Sequence, residues 1–495
     1  MRRGLLAALL GVVLATPAAA DGVLKIAIGA NLNTLDPART TLGEEYNYDV
    51  LVFNGLTRMT PEMKTEPDLA ASWEASEDLK TWTFHLRKGV KFHNGRELVA
   101  DDVVKSFERV LDPATGSSAR SNFTMIEKVA ALDPATVRFD LAYGYGGFAD
   151  ILTDRQVKIV PADHIAELPT APIGTGPFKF VSYTPGDRLV LTRNPDYFEP
   201  GLPKLEGVEE RIIPDMTVRI AALETGDLDY VWDLPPDQVD KLKANPKLKV
   251  ENAPAASWDG AILNNEIPPF NDVRVRRALH LAVSKPDLIK IVLFGYGQPT
   301  HSPIPPNDPF FDASIPFTKA DPVAAKKLLA EAGYPQGVKV PMVIPVGRPV
   351  RERLGITIAQ LAKPAGFDFD LQRVPYARYT AEISGKAPIY IDGFFARPNI
   401  DTAVYPLYYS SGSWNERLWH LKDPKIDEVL DKARVTGDPE QQKALYKAFQ
   451  REASEQQPGY IAYAADFIVA YRADLKDHKV HPMRWIDLRT ASLPN

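Results

Sequence analysis

The chain has 495 residues, which at roughly 150 residues per domain predicts about three domains or one large two-part body. Its 58 Lys and Arg against 64 Asp and Glu give a formal charge of −6, so it lacks the basic excess that nucleic acid or anionic lipid would require. The absence of cysteine excludes disulfides, thiolate catalysis, zinc–cysteine sites and iron–sulfur clusters.

The first twenty residues have the pattern of a cleavable signal peptide. Arg2 and Arg3 precede an apolar run over residues 5–15, and three alanines at 18–20 precede a predicted cleavage before Asp21. The apolar run is shorter than the about 20 residues of a membrane-spanning helix. The sequence therefore predicts export to a bacterial periplasm, with no lipid anchor because no cysteine follows the cleavage site.

Apolar periodicity predicts both strands and helices in the two halves of the mature chain. Alternation predicts strands over residues 24–28, 82–86 and 189–192. Apolar residues three or four apart predict helices over 100–111, from Asp272 to about 283, from Asp321 to Gly333, and along 426–433 and 444–449. This mixture predicts an α/β (mixed α+β) fold. The proline-rich residues 299–316 are best interpreted as an ordered surface loop, with a flexible linker as the alternative.

Motifs for catalysis or for a resident metal are weak. His478 and His481 are three apart, but Pro482 follows directly and no acidic residue completes a helical metal site. Residues 174–176, Gly-Thr-Gly, precede Pro177, which removes an amide that a phosphate would need, so a structural turn is the better interpretation. A Ser-His-Asp triad assembled from distant positions stays open, and no spacing favours one.

A set of motifs occurs along the chain in the order found in one known family. They are residues 35–37 (LDP), 67–73 (PDLAASW), 81–95 (TWTFHLRKGVKFHNG), 100–103 (ADDV), 174–178 (GTGPF), 194–197 (NPDY), 269–279 (PFNDVRVRRAL) and 326–334 (KKLLAEAGY). With these motifs the chain resembles the family 5 periplasmic solute-binding proteins of ABC transporters, which include dipeptide, oligopeptide, nickel and glutathione binders. The resemblance covers essentially the whole mature chain.

The resemblance implies a bilobed periplasmic binding protein fold, with two lobes joined by a hinge and a subdomain inserted in the first lobe. The limits expected from it are a signal peptide over 1–20, first lobe over 21–60, inserted subdomain over 61–170, first lobe over 171–264, second lobe over 265–470, and a return to the first lobe over 471–495. Ligand is expected between the lobes, which close by hinge motion.

The resemblance also implies where the ligand is bound. The family's pocket is lined by the loop after the first strand, by a segment near the middle of the chain and by two stretches of the second lobe. The corresponding residues are Asn33, Thr34, Leu35, Trp258, Arg348, Phe395, Arg397, Tyr405, Trp414 and Asn415. Of these, Trp258, Phe395, Tyr405 and Trp414 are expected to form apolar walls and Asn415 to supply an amide hydrogen bond.

Two arginines in this set indicate the charge of the ligand. Arg348 lies where dipeptide binders supply an arginine to the ligand carboxylate, a task that suits the paired donors of a guanidinium. Arg397 lies where peptide-binding relatives have an aspartate that pairs with the ligand's amino group, so the charge preference there is reversed. Asp401 is an alternative source of the lost anion, through a shifted register.

The resemblance predicts a substrate-binding component of an ABC importer rather than an enzyme. It is expected to be a monomer without cofactor or metal, to bind a small, carboxylate-bearing, peptide-like or amino-acid-derived solute, and to deliver it to an inner-membrane permease with its ATPase subunits. Two alternatives stay open: a carrier of a metal chelate, similar to the nickel binders, with His420 as candidate ligand, and a periplasmic hydrolase on the same fold.

Overall fold

The computed structural model describes residues 22–317, 319–346, 348–375 and 378–494, so the predicted signal peptide lies outside the described residues. The strands are β1 Val23–Ile28, β2 Thr57–Met59, β3 Thr65–Pro67, β4 Ala70–Ala75, β5 Thr81–Leu86, β6 Ile126–Asp133, β7 Thr136–Leu141, β8 Phe178–Thr184, β9 Arg188–Arg193, β10 Gly207–Ile212, β11 Tyr230–Val231, β12 Leu248–Leu263, β13 Gly297–Gln298, β14 Val338–Val346, β15 Phe367–Pro375, β16 Ile389–Phe394 and β17 Tyr460–Arg472. The α-helices are α1 Gly43–Val52, α2 Ala100–Leu111, α3 Phe148–Ile151, α4 Met216–Thr225, α5 Val239–Lys243, α6 Val273–Ala282, α7 Lys285–Val292, α8 Pro322–Glu331, α9 Pro349–Ala362, α10 Ile400–Tyr408, α11 Pro424–Val435 and α12 Pro439–Gln456.

One large mixed sheet runs through the molecule in the order β15-β14-β16-β12-β17-β11-β1-β10-β9-β8, with β13 paired to β17. In the first lobe, β1 is parallel to β10 and β11. In the second lobe, β14 is parallel to β15 and β16. Mixed strands and helices are therefore combined as the sequence predicts, and the α/β fold class is confirmed.

Two long antiparallel strands, β12 and β17, join the lobes. Residues 248–254 of β12 pair with 466–472 of β17, and residues 258–261 pair with 460–464, with an irregularity between Pro254 and Trp258. The earlier part of β12 packs with first-lobe residues, and the later part packs in the core of the second lobe. These contacts favour a division between the lobes inside the two strands, and the domain limits expected from the sequence remain predictions.

The inserted subdomain has its own sheet, in the order β4-β5-β7-β6, covered by α2. Helix α2 has the bounds expected from its apolar stripe, and Val103, Phe107 and Val110 are buried against the sheet. The Gly-Thr-Gly segment nearby makes a close backbone contact: the Gly176 N–H donates to the Val52 carbonyl at 2.9 Å, and a Cβ on Gly174 would lie 2.1 Å from the same oxygen. The segment is therefore a structural turn, as interpreted from Pro177.

The second lobe places helices on both sides of β14, β15 and β16. Its helices begin where the sequence places acidic caps: Asp272 accepts the Arg274 N–H at the start of α6, and Asp321 accepts the Ala324 N–H at the start of α8. The proline-rich loop packs against α12, because Gln450 donates to the Phe310 carbonyl and accepts from the Asp312 N–H. It is an ordered loop rather than a flexible linker.

The last described residues lie in the first lobe. Ile486, Leu488 and Ala491 are buried in the same core as Leu24 and Ile26 of β1. The first lobe is therefore built from both ends of the described chain.

Glu210 of β10 is a buried carboxyl group whose oxygens have no hydrogen-bond partner among the described residues. Burial raises its pKa from 4.5 to about 8, and nearby Glu44 adds to the rise. Between these values the folded protein retains a proton that the unfolded chain loses, so the free energy of unfolding should fall as pH rises, by up to about 1.4 kcal/mol per pH unit.

We therefore expect Glu210→Gln to raise the melting temperature at about pH 9. At about pH 4 we expect no change, because the wild-type Glu210 carboxyl is then protonated in both the folded and the unfolded protein. Glu127→Gln, a change at an exposed position of β6, is the matched control. Equal melting of Glu210→Gln and wild type at the higher pH would contradict the assignment.

Candidate functional site

The carboxyl ends of the parallel strands in both lobes point toward the gap between the lobes. The pairing shows this. Strands β1 and β11 are antiparallel to β17, and β17 is antiparallel to β12, so β1, β11 and β12 run in one direction. Strand β16 is antiparallel to β12 and therefore runs in the opposite direction to β1. Strands of the two lobes thus approach the gap from opposite sides. In open α/β sheets, ligands bind outside the carboxyl ends of strands. A ligand site is therefore expected at the loops after β1, β14 and β16.

The segment after β16 lies against the first lobe. Ala396 is buried with Met59, Met483 and Trp485. The Asn399 side chain donates to the Tyr145 hydroxyl at 3.0 Å and to the Gly147 carbonyl at 3.3 Å. The lobes are therefore in contact here, and the residues between Ala396 and Asn399 are held between them.

Arg397 lies in this segment, half-buried, with its guanidinium 4.5 Å from the centre of the Phe394 ring. Burial and, to a smaller extent, the charge of Arg155 lower the pKa of Arg397 to about 10, against the opposing effects of Asp154 and Tyr46. Those three neighbours belong to the first-lobe side, so Arg397 faces the opposite lobe. Within the described residues its guanidinium forms no hydrogen bond or ion pair.

Asp401 does not replace the missing aspartate. Its carboxylate is buried and ion-paired with Arg434, with Nη2 and Oδ2 2.9 Å apart, and it also accepts from Arg434 Nε. The ion pair with Arg434 already neutralises the negative charge of Asp401, which disfavours the shifted-register alternative.

An aromatic stack lies beside Arg397. The Trp258 ring stacks on Trp419 with centroids 5.7 Å apart and on Phe394 at 6.3 Å, and Trp414 meets Phe394 edge-on at 5.1 Å. Trp258 is only 3% exposed, so most of its surface contacts protein. The structure thus brings Trp258, Trp414 and Arg397 together around Phe394, a residue that was not predicted from the sequence.

Arg348 and Arg351 share the loop and first turn after β14. Arg348 is exposed at the start of α9. Arg351, one turn further on, donates from Nε to Asp259 at 2.8 Å and from Nη1 to Asp392 at 2.7 Å. Arg348 was predicted from the sequence and Arg351 was not, although Asp259 directly follows Trp258 and Asp392 lies three residues before Phe395.

The loop after β1 is fixed by local contacts. The Asn33 N–H donates to Glu45 at 2.7 Å while its side chain is exposed, and Thr34 Oγ1 accepts from the Asp36 N–H. Leu35 is buried in the first-lobe core, and its carbonyl accepts from the Tyr48 hydroxyl. Of the three, Asn33 presents its side chain most openly, whereas Leu35 is part of the core.

Three other predicted residues have different surroundings. The Tyr405 ring lies 3.3 Å from the Arg434 guanidinium, and its hydroxyl donates to Asp431. Asn415 is fully buried, and its amide donates to the Tyr409 and Leu421 carbonyls, so both of its hydrogens hold its own loop. Phe395 is 48% exposed, with the Arg484 guanidinium 5.6 Å from its ring centre.

The histidines considered as metal ligands have separate partners. His478 bonds the Tyr230 hydroxyl, His481 bonds the Met59 carbonyl, and His420 lies 3.6 Å from Glu266 and 3.3 Å from the Gly385 carbonyl. Across the part of the chain that the structure describes, no group of three or more His, Asp or Glu side chains is arranged to hold a metal ion.

Comparison with known proteins gives the family. The model of the bacterial extracellular solute-binding proteins, family 5, matches residues 64–416. The chain belongs to this family. A family 5 protein is the substrate-binding component of an ABC importer, which implies delivery to a permease with its ATPase. In the described ranges, no helix is long and apolar enough to cross a membrane.

Relatives across the family 5 proteins match nearly the full chain. The glutathione-binding protein GsiB of Shigella dysenteriae is 29% identical over 99% of both chains. The periplasmic binding protein DppA of Helicobacter pylori, in complex with the peptide STSA, has a TM-score of 0.84 at 27% identity and covers 96% of this chain and 98% of its own. MoaA of A. tumefaciens R10, in complex with mannopinic acid, has a TM-score of 0.81 at 29% identity, with 96% and 100% covered. These relatives are binding proteins, and they confirm the bilobed fold.

Proposed function

We propose that the protein captures a small polar solute that carries a carboxylate, peptide-like or amino-acid-derived, and delivers it to an inner-membrane ABC permease. Arg397 carries this proposal. Its guanidinium lies between the lobes without a hydrogen-bonding or ion-pairing partner in the described residues. A buried charge is costly unless it is paired, and a carboxylate matches the donors of a guanidinium.

A second charged group supports an amino-acid-derived ligand. Arg351, Asp259 and Asp392 form a half-buried cluster with one formal positive and two formal negative charges, at the carboxyl end of β16. The net negative charge favours an ammonium group nearby. A ligand with an ammonium at this end and a carboxylate at Arg397 would match both charges.

The site also has apolar surface for the body of such a ligand. Trp414 is half-buried beside Phe394, and Phe395, two residues before Arg397 in the chain, exposes about half of its side chain. Ligand sites typically combine apolar walls with a few placed polar groups. Export to the periplasm, with removal of the signal peptide before Asp21, is part of the same proposal. The signal-peptide pattern of the first twenty residues supports it.

Native mass spectrometry of the protein as purified tests the ligand class. We expect a retained small molecule that is released on denaturation and whose fragments include a carboxylate. A retained compound without a carboxylate would contradict the proposal. Stoichiometric metal in the same sample would favour the metal-chelate alternative instead.

The lobes should close when a ligand contacts both of them, because those contacts stabilise only the closed state. Small-angle scattering of protein freed of ligand by denaturation and refolding should show a smaller radius of gyration after saturation with the compound identified by mass spectrometry. An unchanged radius of gyration would contradict closure, and an added compound that does not bind by calorimetry provides the control.

A further inference from the structure

Arg155 is a buried arginine outside the set of predicted ligand-binding residues. It follows α3 in an irregular segment on the first-lobe side and is 5% exposed. Its guanidinium lies 4.1 Å from the centre of the Tyr46 ring, on α1. Among the described residues, that guanidinium donates no hydrogen bond and forms no ion pair.

The segment that carries Arg155 is held firmly. Asp154 accepts the Gln156 N–H at 2.9 Å, so its carboxylate turns toward its own chain. The Gln156 amide donates to Ser118 Oγ at 2.7 Å and to the Thr40 carbonyl. Arg155 is therefore placed by a fixed turn, and the nearest acidic side chain along the chain does not neutralise it.

Arg397 comes to the same region from the other lobe. Ala396 and Asn399, on either side of it, are anchored on first-lobe groups. The two arginines share Asp154 and Tyr46 as charged or polar neighbours, and Arg155 lowers the pKa of Arg397. Two guanidiniums against one carboxylate leave a net positive charge where the lobes meet.

This arrangement is unfavourable without an anion. Like charges in a dehydrated site repel, and a desolvated guanidinium without a partner loses the hydration it had in water. One carboxylate has two oxygens and about four lone-pair directions, so it can accept from two guanidiniums at once. Such a carboxylate would remove the repulsion and connect the lobes.

We propose that Arg155 and Arg397 form a two-arginine clamp, one arginine from each lobe, for a single anionic group of the ligand. The clamp rests on the proposed function and deepens it, because it names the group that couples ligand charge to closure. A solute that is uncharged at this end would leave both guanidiniums unpaired and would be rejected, as expected of a site built to bind one polar group.

The test measures dissociation constants by calorimetry for three carboxylate-bearing probes: glutathione, mannopinic acid and the peptide STSA. The proteins are wild type, Arg155→Gln, Arg397→Gln, the double variant and Arg193→Gln. Arg193→Gln removes a half-buried charge of β9, where Arg193 pairs with Glu206, and controls for net charge. Thermal melts of each protein separate lost binding from lost folding.

We expect at least one probe to bind wild type, each single substitution in the clamp to weaken it at least about tenfold, and Arg193→Gln to leave it within about twofold. The double variant should bind about as weakly as the weaker single variant, because either change breaks the same clamp. STSA with its C-terminal carboxylate converted to an amide serves as an uncharged probe. Because it has no carboxylate there for the clamp, Arg155→Gln should bind it no more weakly than wild type does.

Three outcomes would overturn the clamp. Folded Arg155→Gln that binds a probe as wild type does would remove Arg155 from the site and leave the proposed function standing. Fully additive effects of the two substitutions would show that the arginines do not share one anion. Absence of binding of all three probes to wild type would overturn the proposed ligand class, and the clamp with it.

Discussion

Replacing Arg397 by alanine is expected to weaken binding of a carboxylate-bearing ligand by about 2–5 kcal/mol, or roughly 30-fold to several thousand-fold in the dissociation constant. The reason is that truncation of one member of a desolvated charge pair leaves the other member buried and unpaired. Arg397 lies between the lobes, against Phe394 and close to first-lobe charges. Calorimetric titration of wild type and variant measures the effect.

The matched control is Arg417→Ala. Arg417 belongs to the same lobe and also lies over an aromatic ring, that of Trp414 at 5.4 Å, but it is exposed. Its replacement should change the binding free energy by less than about 0.5 kcal/mol, as surface changes usually do. An Arg397→Ala protein that melts like wild type and retains the wild-type dissociation constant would show that Arg397 only supports the turn at Pro398.

The second large effect is expected on stability. Trp258→Ala should lower the free energy of unfolding of the second lobe by about 3–5 kcal/mol, because it leaves a cavity within the aromatic stack. The ring contacts Trp419 and Phe394 and is almost fully buried. Denaturant titration followed by far-ultraviolet circular dichroism measures the loss.

Two further variants separate loss of the buried ring from an unspecific effect of substitution in this region. Trp258→Phe retains an aromatic ring and should lose less stability than the alanine variant. Phe395→Ala, at a half-exposed position of the same segment, should change stability by less than about 0.5 kcal/mol. Unchanged stability of Trp258→Ala would mean that the ring is only a wall for the ligand and does not hold the core.

Local signals in the sequence were enough for many elements. The acidic caps at Asp272 and Asp321 bond groups within three residues, so they can be recognised without knowledge of the fold. The apolar stripe of α2 likewise gives its bounds. The family motifs, spread over the whole chain, predicted the two-lobed arrangement that no single element indicates.

The charges between the lobes were harder to predict. Arg397 was found because it replaces a residue in a known pattern, whereas nothing around Arg155 marks it, and its significance depends on a neighbour from the other lobe. Arg351 was missed in favour of Arg348 because ion pairing with Asp259 and Asp392 depends on three separate elements. Asn415 has the residue type of a ligand donor, and only the structure shows its amide bonding its own loop.

The return of the chain to the first lobe has a consequence for the order of assembly during synthesis. The first lobe starts with β1 but lacks β17, Ile486 and Leu488 until the chain has been made beyond the second lobe's last helix. The helices and parallel strands of the second lobe are all made before those residues. Domains generally fold as units when their parts are present. The lobe that is begun first is therefore completed last, and a nascent chain that stops before β17 leaves it without the strand that joins β11 to β12.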